Sequence, residues 1–161
     1  MSLTQNGAFG AVYQPDILTV GGIVDADQTV TNSATLVTIP QLTLPVGKNE
    51  RVLFRYNLFY TSTATGDLKY RVDVPASPTT YRLFSEEQAA DATAIVCATI
   101  TGEADDTVLF ASGTDGFIRL TGFVANGTTA GSVIFQFAQN TATAAQSAVI
   151  RAGSFLEYRY F

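Results

Sequence analysis

The 161-residue chain contains no histidine, no tryptophan, one cysteine and one methionine. Without an imidazole, Ser-His-Asp and Cys-His catalysis, His-ligated zinc and histidine pH switches are excluded. A single cysteine excludes an intrachain disulfide. That residue, Cys97, sits in the apolar run Thr93-Ala-Ile-Val-Cys-Ala-Thr-Ile100 with no basic neighbour to lower its pKa. It therefore reads as a small buried hydrophobe and not as a nucleophile. Charge is scarce as well: 14% of residues are charged, against about a quarter in ordinary globular chains. Nine basic residues against fourteen acidic ones give a net charge of −5. That sign is wrong for gripping phosphate backbones, so no nucleic-acid partner is expected. No apolar run approaches the roughly 18 residues of a membrane span, so no membrane partner is expected either. The start, Met1-Ser-Leu-Thr-Gln-Asn-Gly-Ala-Phe-Gly10, lacks a basic segment followed by an apolar one. This points to synthesis in a host cytoplasm without export.

What is present is period two, the side-chain alternation of β-strands. In Arg51–Tyr60 one face carries Val52, Phe54, Tyr56, Leu58 and Tyr60, and the other is mixed. In Asp67–Val74 the apolar face is Leu68, Tyr70, Val72 and Val74. The small-residue segment 61–66 between them predicts a hairpin with a loop. Gly116–Ala125 runs into Asn126-Gly127, the strongest short turn signal in the chain. Gly131–Gln139 follows, with Val133, Phe135 and Phe137 on one face, then a loop over 140–145 and a last strand over Ser154–Phe161. Shorter strands are expected over Thr29–Val37, Gln41–Leu44, Thr79–Phe84, Ala94–Ile100 and Thr107–Ala111. The one helical candidate is Ser85–Asp91, where Ser85 and Gln88 match a capping box. Eight or more antiparallel strands in one domain of this length predict an all-β, single-domain antiparallel β-sandwich of jelly-roll type over residues 28–161. Residues 1–27 are Gly- and Asn-rich and weakly patterned. They read as an extended N-terminal arm that needs another surface to hold it, the alternative being a short extra strand.

Catalytic chemistry finds little support. Glu103, Asp105 and Asp106 are the nearest approach to a calcium loop, but no EF-hand spacing or acidic repeat accompanies them. Asp25 and Asp27, and Glu86 and Glu87 with Asp91, read as solvated loop charge. No carboxylate lies in an obvious aromatic pocket, so the two-acid arrangement of a glycosidase is not expected. The glycine-bearing segments 113–116 and 127–131 sit between strands and do not open helices, so they are not phosphate loops. The chain is expected to be no enzyme and to need no cofactor or metal. Of the aromatic residues, Phe54, Tyr70, Phe123, Phe135 and Phe137 read as core. Tyr56, Tyr60, Tyr81 and Tyr158 read as interface residues, since a tyrosine buries its ring and keeps its hydroxyl bonded. The strands' outer faces read as bland, and so few charges on a chain of this size favour association.

Residues 127–142 and 152–158, with Asn32–Leu36, Leu42–Lys48 and Arg51–Tyr60 upstream, resemble a pattern found in tailed-phage structural proteins. In that group a strand, a Gly-X-X-X-Gly turn, a strand ending Ala-Gln-Asn and a final Ala-Gly-Ser strand follow one another. The likeness spans about residues 29–161. It implies a small jelly roll that assembles as a homo-oligomer, a trimer, on the outer surface of a virion capsid. The partner it implies is the major capsid protein, and the role is that of a decoration or cement protein. The family carries no catalytic motif to transfer. The alternative it leaves open is a carbohydrate-binding, receptor-recognising tip of a tail or head fibre. In the decoration role the arm residues Phe9, Val12, Tyr13, Ile17 and Leu18 are expected to dock on the capsid or on a sister subunit.

Overall fold

The computed structural model describes residues 18–63, 65–88, 96–100, 107–109 and 115–161. Alternating apolar positions give strands, and the strands are β1 (Thr19–Ile23), β2 (Gln28–Thr31), β3 (Val37–Val46), β4 (Arg51–Ser62), β5 (Leu68–Asp73), β6 (Thr80–Gln88), β7 (Val96–Ile100), β8 (Thr107–Leu109), β9 (Gly116–Ala125), β10 (Gly131–Gln139), β11 (Ser147–Ile150) and β12 (Phe155–Tyr160). No helix occurs among the described residues. One sheet runs β1-β12-β4-β9-β6-β7, with β11 pairing both β4 and β2 beside it. The second sheet runs β3-β10-β5-β8. Among the described residues every pairing is antiparallel. With β2, β6, β7 and β11 set aside, the other eight strands, numbered along the chain, lie in the orders 1-8-3-6 and 2-7-4-5.

The two sheets face each other across one apolar core. Val52, Phe54, Tyr56, Leu58 and Tyr60 of β4 are fully buried, as are Ile118 and Leu120 of β9. From the other sheet come Leu42 and Leu44 of β3, Val133 and Phe135 of β10, and Leu68 and Tyr70 of β5. Phe135 is the centre: its ring lies 5.7 Å from that of Tyr56 and 6.0 Å from that of Tyr70. Tyr56 also reaches across the interior and donates its hydroxyl to the carbonyl of Leu42 at 3.1 Å. Burial raises the Tyr56 pKa well above the ordinary tyrosine value, so the group stays a neutral donor.

Several sequence expectations change. Arg51–Tyr60 and Asp67–Val74 do not form a hairpin, because β4 and β5 belong to opposite sheets and the segment between them is an arch. Asn126-Gly127 likewise joins β9 to β10 across the sandwich and is no tight turn. Asn126 is buried and its amide donates to the carbonyls of Gly47 at 2.7 Å and Thr129 at 2.9 Å, so it ties two loops together. The strand expected over Thr29–Val37 is two strands, β2 and the start of β3, separated at Asn32, whose φ is +50°. Ser85–Gln88 are strand and not a helical turn, because they pair with β7 on one side and β9 on the other; Asp91 lies outside the described residues. Cys97 is exposed and not buried: β7 pairs only with β6, and no described element covers it. Phe123 lies on the outward side of β9, half-buried, because its neighbours Gly122 and Val124 take the inward positions. Tyr56, Tyr60 and Tyr81 are core residues and not interface residues. Within the stretch read as an arm, residues 19–23 are a strand paired to β12, and Val24 is buried.

Two glycines are required by close approach. A Cβ on Gly22 would stand 2.0 Å from the carbonyl oxygen of Gln41, so β1 packs on β3 only without a side chain there. A Cβ on Gly122 would stand 2.1 Å from the ring of the fully buried Phe54. Gly122→Ala is therefore expected to destabilise by about 2 kcal/mol through overpacking, seen as a lowered Tm with the β-sheet circular dichroism retained. An unchanged Tm would mean that the Phe54 ring has room to move.

Candidate interaction surface

The inward face of the eight-stranded sheet is spent on the core. Its outward face carries the unusual chemistry, and the register places each residue. One row runs Ile23, Phe155, Asn57, Arg119, Glu86, Cys97 across β1, β12, β4, β9, β6 and β7. The next row runs Val20, Glu157, Arg55, Thr121, Phe84, Thr99. Beyond these lie Arg159, Leu53, Phe123 and Arg82 on one side, and Phe59, Phe117 and Gln88 on the other. Phe59 is 43% exposed, Phe84 42%, Val20 53% and Ile23 51%. Phe59 and Phe117 lean on each other with centroids 5.6 Å apart. The Arg119 guanidinium lies 5.3 Å from the Phe117 ring centre, within reach of a cation–π attraction.

A polar stripe threads between the aromatic side chains. Arg55 lies 3.7 Å from Glu157, and Asn57 donates to Glu157 at 3.2 Å. Arg119 donates to Asn57 at 3.4 Å and pairs with Glu86, also at 3.4 Å. Arg55 and Arg119 are thus linked through Glu157, Asn57 and Glu86 across β12, β4, β9 and β6. Exposed pairs of this kind add little stability. Aromatic residues and arginine are the types enriched at protein interfaces, so this face has the composition of a contact surface and not of a solvated sheet.

Glu87, adjacent to Glu86 but on the inward side, is buried, contrary to its reading as loop charge. It accepts a hydrogen bond from the Tyr70 hydroxyl across the sandwich. The Tyr70 pKa is raised by burial first and by the Glu87 charge second, with the Thr107 and Ser85 hydroxyls opposing. The pair is a polar clasp between the sheets.

A second polar cluster stands at one corner. Arg151 pairs with Asp27 at 2.7 Å and with Asp115 at 3.2 Å. Asp27 also accepts the backbone N–H of Ala152 at 2.8 Å. That backbone bond, then the Arg151 side chain, lowers the Asp27 pKa from 3.8. A carboxyl whose pKa is lowered by folding stabilises above its unfolded value and loses that contribution as pH falls through the folded one. The corner is therefore expected to hold from neutral pH down to about pH 4 and to loosen below it. Tm measured across this range should show a smaller acid-side decline in Asp27→Asn than in the parent. Equal slopes would remove the cluster from the acid response.

Of the arm residues expected to dock, Leu18 is half-buried at the start of β1. Phe9, Val12, Tyr13 and Ile17 lie outside the described residues, as do Glu103, Asp105 and Asp106. Tyr158 is partly buried against the core and Tyr160 beside it donates to the carbonyl of Pro45. Among the described residues no group of three or more acidic or cysteine side chains converges as a metal site would require. Leu53, Phe59 and Phe155 fall on the second faces of their strands in the sequence pattern, but neither they nor Phe84 and Phe117 are read there as contact residues. The available signal was that the second face of Arg51–Tyr60 is itself rich in large apolar side chains.

No protein-family model matches the chain, and no curated protein matches it. Among solved structures it is similar to "Structure of infectious bursal disease virus Gx strain", at 8% identity and a TM-score of 0.20, over 89% of this chain and 35% of that one. The chain thus spans about a third of the length of that viral chain, and a TM-score this low carries no argument about descent or role.

Proposed function

We propose that the chain is a non-enzymatic phage virion protein, a capsid decoration protein of jelly-roll form that binds the outer shell through the outward face of the eight-stranded sheet. The observation that carries this reading is the aromatic and arginine composition of that face, on which Phe59 and Phe84 are exposed while the opposite side of the same sheet is used by the core. The strand orders 1-8-3-6 and 2-7-4-5 support the jelly-roll form. The resemblance of residues 29–161 to tailed-phage structural proteins supports the virion setting, the trimeric state and the major capsid protein as partner. In this role the protein acts by mass action: whatever binds the assembled shell and not its separated subunits stabilises the shell. A trimer would gain further, since its later contacts form at high effective concentration. The decisive experiment mixes the purified chain with emptied, undecorated shells of the parent virion and pellets them. Saturable co-sedimentation, with a rise in the temperature at which the shells open, is the expected result. Absence of co-sedimentation overturns the reading.

A receptor-binding fibre tip is the second reading, favoured by one feature. Phe59, Gln88, Asp115, Gly116 and Phe117 line a depression of about 280 Å³ at the end of the same face. Aromatic rings beside an amide and a carboxylate are a chemistry that sugars accept. Selective binding on a glycan array, lost in Phe117→Ala, would favour this reading over the first.

A further inference from the structure

The outward face described above has a charge opposite to that of the chain. Its basic residues are Arg51, Arg55, Arg82, Arg119 and Arg159, and its acidic ones are Glu86 and Glu157. Over β12, β4, β9 and β6 the face is thus net +3. The adjoining corner of Arg151, Asp27 and Asp115 is net −1. The whole face is therefore net +2 on a chain of net −5, which leaves −7 for everything else. All five cations are arginine, which is more weakly hydrated than lysine and matches carboxylates with two parallel hydrogen bonds. Glu157 and Glu86 engage Arg55 and Arg119. Arg51 and Arg82 pair with no carboxylate among the described residues, and both are exposed.

We propose that this face takes an acidic protein surface, one whose carboxylates surround an apolar patch. The inference rests on the reading of the chain as an adhesive virion protein and names the chemistry of the partner that the reading leaves open. The arginines sit among aromatic side chains, so the partner's apolar patch meets Phe84 and Phe59 while its carboxylates meet Arg82 and Arg51. Two copies of this face set against each other would bring +2 to +2, so an isologous pair through it is opposed electrostatically. A nucleic-acid strand also carries negative charge. It would lie beside Glu86 and Glu157 within the face and Asp27 and Asp115 at its end, on a chain that is net −5, which disfavours an extended polyanion more than a compact acidic patch.

The probe is a random copolymer of glutamate and tyrosine, with polyglutamate, a lysine–tyrosine copolymer and oligo-dT as the other arms. All are measured on the full chain at low and at physiological salt. The glutamate–tyrosine copolymer is expected to bind best and to weaken with salt. Arg51→Glu/Arg82→Glu is expected to weaken it roughly tenfold or more, with the Tm unchanged because both side chains are exposed. The same variant should weaken shell co-sedimentation. Preference for oligo-dT or for the lysine–tyrosine copolymer overturns the inference, as does copolymer binding indifferent to the double substitution. Concentration-dependent self-association abolished by that substitution also overturns it, and makes a second copy the occupant. If the chain fails to bind shells yet shows the copolymer preference, the decoration reading falls and the acidic-partner inference stands.

Discussion

Tyr70→Phe is expected to destabilise the protein by about 3 kcal/mol, far more than the loss of one oxygen atom costs at a surface. The reason is what remains behind. Glu87 is buried, and the Tyr70 hydroxyl that donates to it comes from the opposite sheet. Removing the donor leaves an acceptor that has lost its hydration, and the penalty for stranding such a group exceeds the net gain of making the bond. For a chain of this length that loss lowers Tm by roughly 9 °C. Glu87→Gln keeps an acceptor oxygen for the same hydroxyl and should cost less. Tyr70→Phe/Glu87→Leu removes both polar groups and should recover a good part of the loss, giving a coupling well above 1 kcal/mol in a double-mutant cycle. Additive single effects would mean that the two groups do not depend on each other.

The same residue carries an alkaline signature. Tyr56 and Tyr70 both have pKa values raised from 10.0 by burial. A group whose pKa is raised in the folded state contributes stability that is complete below its unfolded value and lost as pH rises beyond it. Stability should therefore fall above about pH 10, where the unfolded chain ionises tyrosines that the folded one keeps neutral. Tyr70→Phe should flatten that fall, and Tyr56→Phe should do so independently.

The faces of the strands were legible in sequence because alternation is a local property. Val52, Phe54, Tyr56, Leu58 and Tyr60 alternate in ten residues, and all five are buried. Pairing partners were not legible, since alternation says which side of a strand is apolar and nothing about its neighbour. A six-residue segment such as 61–66 serves a hairpin or an arch equally well, and only the sandwich decides. The inward positions of β6 show a different failure. Tyr81 and Leu83 fit the pattern, but Ser85 and Glu87 continue the same face with polar groups. Locally that resembles a helix cap; in the fold, Tyr70 from the other sheet makes the buried carboxylate tolerable. Cys97 was misplaced because an apolar strand at the rim of a sheet has the same sequence as one in its middle. The outward face was hidden for a related reason. Its aromatic and arginine side chains come from β12, β4, β9 and β6, scattered over the chain, and they become neighbours only through the register.

That scattering makes the face testable without harming the core beneath it. Phe59 and Phe84 lie on different strands, both are exposed by more than a third, and both point away from the sandwich. Phe59→Ser/Phe84→Ser should therefore leave the fold within about 1 kcal/mol of the parent, as surface substitutions do. Aromatic anchors buried in an interface commonly carry about 1 to 2 kcal/mol or more each. Their joint removal is then expected to weaken binding to undecorated shells by roughly 100-fold at unchanged Tm. The contrast with Arg51→Glu/Arg82→Glu separates the two contributions. Charge reversal acts mainly on the association rate and its salt dependence, whereas loss of buried aromatic contact acts on dissociation. A Phe59→Ser/Phe84→Ser variant that still decorates shells with the parent's dissociation rate would move the contact surface off this sheet altogether. It would leave the four-stranded side or the segment before β1 to hold the partner, because the aromatic side chains would then be exposed without bearing any of the load.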